Sequence, residues 1–227
     1  MSGKKKLIRF EENKTFDNLF QLSYKDIEDG MFLRGKWAKE FFKNDNPIII
    51  EVGCGKGEYT IGLAQRYPDK NFIGIDLKGA RLWRGCKTSQ EENMKNVAFI
   101  RSKAEGLDRY FAPGEISEVW ITFPDPQARE NRERKRLTSP RFLKMYHEFM
   151  TPDGIVNLKT DSELLFFYTL ETIHDDNHKL LYGLRDIYDS DLKNEVTEIQ
   201  TYYEQKWLEL GIPINYIQFQ LNKDAFK

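Results

Sequence analysis

Within about thirty residues the chain runs PIIIEV (47–52), GCGKG (53–57), GEYTIGLAQRY (57–67) and NFIGID (71–76). An apolar run, a glycine-dense turn, a helix-length stretch and a second apolar run thus follow in immediate succession. Two such strands joined through a helix lie parallel, and a parallel sheet needs helices on both faces. The alternation continues. A helix is expected from Lys78 to Met94, a third strand over 97–101, a short helix through Leu107 and a fourth strand over ISEVWITF (116–123). SPRFLKMYHEFM follows as a helix, with Ser139 as its cap and Pro140 in its first turn. GIVNLKT (154–160) reads as a fifth strand and Ser162 to His174 as a helix; the tail offers LLYGLRDIY (180–188), a helix across IQTYYEQKWLELG and a last strand, PINYIQFQL. Only Gly-Ile-Pro separates that helix from the last strand, which suggests a reversal of direction. The expected fold is α/β and Rossmann-like: a mostly parallel seven-stranded sheet, helices on both faces, an antiparallel last strand.

No repeat or linker interrupts residues 31–227, which read as one domain. Residues 1–30 carry Lys4, Lys5, Lys6 and Arg9 without a convincing period. They read either as a flexible, solubilising terminus or as a basic arm for a polyanion. The charged residues make up 31% of the chain, yet the net charge is only −1, so any case for nucleic acid must rest on local patches. Cys54 and Cys86 make neither a disulfide framework nor a metal cluster, and His174 and His178 lack a ligand-like partner set. With no apolar run near the ~18 residues of a membrane span, and no signal-peptide core in MSGKKKLIRF, a cytoplasmic protein without membrane or metal is expected.

In sheets of this kind ligands sit outside the carboxyl ends of the strands. The first strand ends in Glu51-Val-Gly53-Cys-Gly55-Lys-Gly57, where glycines let the backbone approach a ligand closely. The second ends in Asp76, placed to accept hydrogen bonds from ribose hydroxyls. The dinucleotide fingerprint is G-x-G-x-x-G; here the spacing is G-x-G-x-G, with Glu51 two residues before the first glycine. A carboxylate there would repel a pyrophosphate and attract a cationic amino-acid group. E-x-G-x-G-x-G resembles motif I of S-adenosylmethionine-dependent methyltransferases of class I, which implies S-adenosyl-L-methionine as cofactor.

The fourth strand breaks into Phe123-Pro-Asp-Pro126, and the two prolines restrict the backbone around Asp125. Methyl transfer needs its acceptor held in line with the sulfonium, and the end of this strand is where an acceptor-binding residue belongs. Arg129, Arg132, Arg134, Lys135 and Arg136 follow; they read either as a solvated face partly offset by Glu130 and Glu133 or as contacts to phosphate.

FPDP, a basic stretch ending in Lys-Arg-Leu, then Leu-Lys-Thr-Asp (158–161), Thr201-Tyr-Tyr-Glu204 and a terminal Gly-x-x-Ile strand resemble the bacterial tRNA (guanine-N7-)-methyltransferase family. The likeness runs from about Ile48 to Gln220. It implies methyl transfer to N7 of a guanine in the tRNA variable loop (position 46), by a monomer or homodimer with no obligate protein partner. It implies cofactor contacts at Glu51, Gly53, Gly55, Gly57 and Asp76, at Lys103 and Ala104 near the adenine, and at Asp125, which also carries the catalytic role. Arg129, Asp161, Thr201, Tyr202, Tyr203 and Glu204 would bind substrate, and Arg132, Arg134, Lys135 and Arg136 the RNA. Four positions depart from the family pattern: Gln127 stands where tryptophan is usual, Arg129 and Arg132 where lysine and histidine are usual, and Lys103 where an aspartate is usual. Glu105 is the alternative partner for the adenine.

Guanine N7 has a free lone pair and no proton, so its methylation needs no strong base and can rest on orientation and electrostatics. Either Asp125 or Asp161 could accept from guanine N1–H and N2–H₂. Thr201 and Glu204 also fit a capping box at the start of a helix, and Tyr202 and Tyr203 fit packing. Trp83 and Arg84 read as packing and surface. The competing functions are methylation of an exocyclic amine or a small molecule, and an RNA-binding module without catalysis. The first is disfavoured by non-aromatic Gln127 after the Asp-Pro, the second by an intact glycine turn.

Overall fold

The computed structural model describes residues 3–23 and 25–226, the side chains of residues 3–5 excepted. The chain forms two compact units, one ending at Ala112 and one starting at Pro113.

In the first unit, strands β1 (Leu19–Phe20), β2 (Ile48–Val52), β3 (Asn71–Asp76) and β4 (Val97–Arg101) lie parallel in the order β1-β4-β3-β2. Helices α1 (Gly3–Glu12), α2 (Glu58–Arg66) and α3 (Gly79–Glu91) belong to the same unit. Ile49, Ile50, Ile73, Ile75, Phe99 and Ile100 are all buried, as continuous apolar runs in a parallel sheet require. The Phe99 ring fills a slot between Gly57, Gly74 and Gly85. A Cβ on any of the three would stand 2.6–2.7 Å from that ring. Close packing of α2 and α3 on the sheet therefore depends on these three glycines.

Strand β1 is the element without a sequence signal, since two residues carry no period. The terminus that the sequence leaves unassigned is helical as α1, and it docks on α3: Arg9 stacks 4.2 Å from the Trp83 ring centroid, and Asn13 donates to Gly79 O at 2.8 Å. Lys4 and Lys5 lie outside the residues whose side chains are described. A π-helical turn, Trp37–Phe42, buries Trp37 against Phe20, Phe41 and Phe111, and its indole donates to Tyr110 O at 2.9 Å.

In the second unit, β5 (Ile116–Thr122), β6 (Met150–Thr160), β8 (Asn215–Gln220) and β7 (Lys179–Leu184) form the order β5-β6-β8-β7. Strands β5 and β6 are parallel, and β8 runs antiparallel to both β6 and β7, so the last strand reverses as its short connection suggests. Helices α4 (Pro140–Phe149), α5 (Glu163–Asp175), α6 (Glu195–Glu198) and α7 (Tyr202–Glu209) complete the unit. Strand β6 starts four residues before the expected Gly154, immediately where α4 ends. Ser139 occupies the N-cap of α4, but its hydroxyl donates to Arg134 O at 3.3 Å and makes no cap bond. Ser162 does cap α5, accepting from Leu165 N–H at 3.3 Å.

Candidate functional site

The glycine turn between β2 and α2 is held from the end of the neighbouring strand. Ile75 O accepts from Gly53 N–H and Cys54 N–H at 2.8 and 3.0 Å, and Asp76 Oδ2 accepts from Gly55 N–H at 3.0 Å. The other Asp76 oxygen takes Lys78 N–H at 2.7 Å. All three turn glycines have positive φ: 85° at Gly53, 58° at Gly55 and 73° at Gly57. At Gly55 no atom lies within 4 Å of a would-be Cβ, so the left-handed backbone alone requires glycine there.

Glu51 is 3% exposed, and its Oε2 accepts both the amide, at 2.8 Å, and the hydroxyl of Thr60 on α2. Burial, then the Glu51 and Asp76 carboxylates, push the Cys54 thiol well up, so it stays neutral. The turn thus carries the negative field of two oriented carboxylates, which suits the ammonium of an amino acid and opposes a pyrophosphate. Each Asp76 oxygen keeps a second lone pair for a hydroxyl donor.

Beyond Asp76, Leu77, Ser102, Lys103 and Glu105 line a pocket of about 550 Å³ whose apolar wall includes Leu22 and Ile27. This is the natural place in the first unit for a flat purine. Lys103 and Glu105 both border it, whereas Ala104 begins the 3₁₀ segment Ala104–Arg109 and is not part of the wall.

In the second unit the segment after β5 is more constrained than its prolines alone suggest. Phe123 and Gln127, on either side of Pro124-Asp125-Pro126, both sit at φ +47°, which costs a non-glycine residue about 1–2 kcal/mol. Phe123 N–H donates to Lys159 O, and Asp125 Oδ1 accepts from Gln127 N–H at 3.0 Å. Asp125 is exposed, and this one local bond fixes its carboxylate while leaving the second oxygen open to solvent.

The basic arm divides. Arg129, Arg132, Arg134 and Lys135 are exposed and have no ion-pair partner among the described residues. Arg136, grouped with them by sequence, is only 6% exposed and faces inward. Its guanidinium donates to Pro126 O (3.3 Å) and Gln127 O (3.5 Å) and stacks 4.3 Å from the Tyr168 centroid. Arg136 is therefore a brace for the FPDP segment, and the RNA contact expected of it is replaced by bonds to two carbonyls. Burial and the nearby Glu133 carboxylate raise the Tyr168 phenol, so that acid also acts locally.

Thr201 and Glu204 form the capping box, one of the two readings their spacing allows. Thr201 Oγ1 accepts from Glu204 N–H at 3.2 Å, and Glu204 Oε2 accepts from Thr201 N–H at 3.3 Å. Glu204 is wholly buried and also meets Tyr188 O–H (2.7 Å) and Lys159 Nζ (2.6 Å). Tyr202 and Tyr203 are the exposed members of that motif, edge to face at 5.7 Å. Asp161, just past β6, is half-buried, its carboxyl raised by burial, and no side chain among the described residues partners it. Sequence reasoning passed over Lys159. A lysine inside a strand buried on both faces is itself the signal, because a buried ammonium needs a partner.

A family model described as "Putative methyltransferase" matches residues 45–216. The tRNA (guanine-N(7)-)-methyltransferase of Christiangramia forsetii is 53% identical over 97% of this chain and 100% of its own length. That of Bacteroides fragilis is 47% identical over 98% and 88%, and that of Bacillus subtilis 38% over 80% and 83%. Among solved structures, the 16S rRNA methyltransferase KamB matches with a TM-score of 0.61 at 13% identity, covering 88% of this chain and 94% of that one. A 30S ribosomal A1408 methyltransferase from an uncultured bacterium matches at 0.56 and 18%, covering 78% and 88%. These likenesses place the fold among the class I methyltransferases. Identity of this extent over nearly the full length does more, and the chain belongs to the tRNA (guanine-N(7)-)-methyltransferase family.

Proposed function

We propose that the chain transfers a methyl group from S-adenosyl-L-methionine to N7 of a guanine in the tRNA variable loop, acting in the cytoplasm. The observation that carries the reading is the 53% identity to a tRNA (guanine-N(7)-)-methyltransferase across that protein's whole length. The cofactor supplies an electrophilic methyl on a sulfonium. Glu51 holds its ammonium end, Asp76 its ribose hydroxyls, and the pocket beside Leu77 and Lys103 its adenine. The glycine turn, whose Gly53, Cys54, Gly55 and Gly57 amides already donate within the protein, supplies the close approach of the backbone.

The second unit handles the base. N7 needs no deprotonation, so these residues position and compensate charge. Asp161 accepts from the Watson–Crick edge of guanine, for which a half-buried carboxylate without a side-chain partner is well suited. Asp125, with its free oxygen, offsets the positive charge that alkylation leaves on the ring. Arg129, Arg132, Arg134 and Lys135 contact phosphate, and Tyr202 and Tyr203 offer the exposed rings of the TYYE motif.

The test incubates the purified chain with labelled S-adenosyl-L-methionine and unmodified bulk tRNA and maps the product. Label on N7 of a variable-loop guanine is expected. Label on an exocyclic amine, or on no RNA, would overturn the reading.

A further inference from the structure

A basic concavity in the first unit opens beside Gly57 of the glycine turn, and its cations have no part in the cofactor reading above. It has a volume of about 580 Å³ and is bordered by Arg9 of α1, Lys56 of the glycine turn, and Arg81 and Arg84 of α3, with Glu58 as the one acid on its wall. Lys56 and Glu58 pair loosely at 3.6 Å. Arg81 has no ion-pair partner among the described residues, and Arg84 meets Glu91 only at 3.4 Å on an exposed surface. The Arg84 guanidinium is held at the wall by Thr88 Oγ1, at 3.1 Å from Nε and 2.8 Å from the terminal nitrogen. Gathering four cations around one carboxylate in a concave surface raises the folded-state energy through mutual repulsion. In a chain of net charge −1 it also creates a local positive field. An anion would remove that repulsion. Arginines three residues apart share a helix face, and their planar guanidinia match phosphate oxygens two at a time.

We propose that this concavity binds the phosphodiester backbone of tRNA, as a contact separate from the Arg129–Lys135 arm. The inference rests on the tRNA reading above. It assigns Arg81 and Arg84 to substrate binding, where the sequence places Arg84 merely at the surface.

The test compares the full-length chain with an Arg81→Gln/Arg84→Gln double variant in tRNA binding from 50 to 200 mM salt. The variant is expected to bind tRNA on the order of tenfold more weakly near ~150 mM salt. Its plot of log affinity against log salt should be shallower by about one to two units. Affinity for S-adenosyl-L-methionine should be unchanged, which reports an intact first unit. An Arg66→Gln/Lys70→Gln variant removes the same charge from around the C-terminal end of α2 and should shift the slope less. Equal slopes for the wild type and the Arg81/Arg84 variant, or an equal loss in the control variant, would overturn the proposal. Failure of the wild-type chain to methylate tRNA would instead count against the proposed function.

Discussion

Lys159 Nζ lies 2.6 Å from Glu204 Oε1, and neither side chain has any access to solvent. The same ammonium donates to Val196 O and to Ile199 O, the latter at 3.2 Å. One cation near the end of β6 thus fastens the end of α6, the following loop and the first turn of α7. Burial pulls the Lys159 ammonium below its usual pKa, and Glu204 pushes it back up. The pair lies inside the two motifs, LKTD and TYYE, that carry Asp161 and the exposed tyrosines, so it sets where those groups stand.

Breaking the pair from one side should cost more than removing both charges. Lys159→Met leaves a buried carboxylate without a counter-charge, and a loss of about 3–5 kcal/mol is expected. In Lys159→Met/Glu204→Leu most of that charge penalty disappears; Thr201 N–H loses its acceptor, worth about 1–3 kcal/mol if it stays dry, while Tyr188 O–H keeps Thr197 O at 3.3 Å. Urea midpoints of the wild type, both single variants and the double variant give the coupling directly. Additive losses would show that the two residues do not act as a unit.

Asp125 can be separated into its two tasks. Asparagine retains an oxygen for Gln127 N–H, so Asp125→Asn should keep the turn and its melting temperature while removing only the charge. Single-turnover methylation should fall on the order of 100-fold with cofactor affinity nearly intact. Asp125→Ala should lose the turn bond too and melt lower. A near-normal single-turnover rate in Asp125→Asn would exclude a role in compensating charge.

Arg136 and its neighbours should differ in kind. Arg132→Gln and Arg134→Gln are expected to flatten the salt dependence of tRNA binding by about one unit each, with little effect on stability. Arg136→Gln should leave that slope unchanged, lower the unfolding midpoint and reduce turnover by loosening the FPDP segment. Parallel salt titrations and melts decide between brace and phosphate contact.

What could be foreseen here follows from which interactions are local. The strand–turn–helix alternation, the reversal before β8 and the Thr201–Glu204 capping box depend on periods and spacings of a few residues, and each is visible in the sequence. Lys159 and Glu204 are 45 positions apart, and nothing local says that they meet. Within Arg-Glu-Arg-Lys-Arg (132–136), charge alone cannot say which cation turns inward; the carbonyls of Pro126 and Gln127 and the ring of Tyr168 decide it. The N-terminal segment docks through contacts with no local signal, Arg9 of α1 on the Trp83 indole and, just past the helix, the Asn13 amide on Gly79 O. Strand β1 exists only through its pairing with β4.

Asp161 gives a prediction with a definite sign. Burial disfavours its charged form, so the folded carboxyl titrates above the usual 3.8, with its own backbone N–H partly opposing the shift. The folded state therefore holds this proton more tightly than the unfolded chain does. Its contribution to stability is greatest below the ordinary carboxyl range, declines as pH rises from about 3.8 through the raised value, and is level above it. Asp161→Asn removes the titration and keeps an acceptor for the local N–H. The variant should thus be more stable than the wild type at pH 7, with the difference shrinking as pH falls toward 4, while KM for tRNA rises because the guanine donors lose an anionic acceptor. Urea unfolding across that range, paired with initial rates at neutral pH, reads both effects. A stability difference that is independent of pH would mean that the carboxylate is not strained by burial. An unchanged KM would place the guanine edge on another residue, with Asp125 the next to examine.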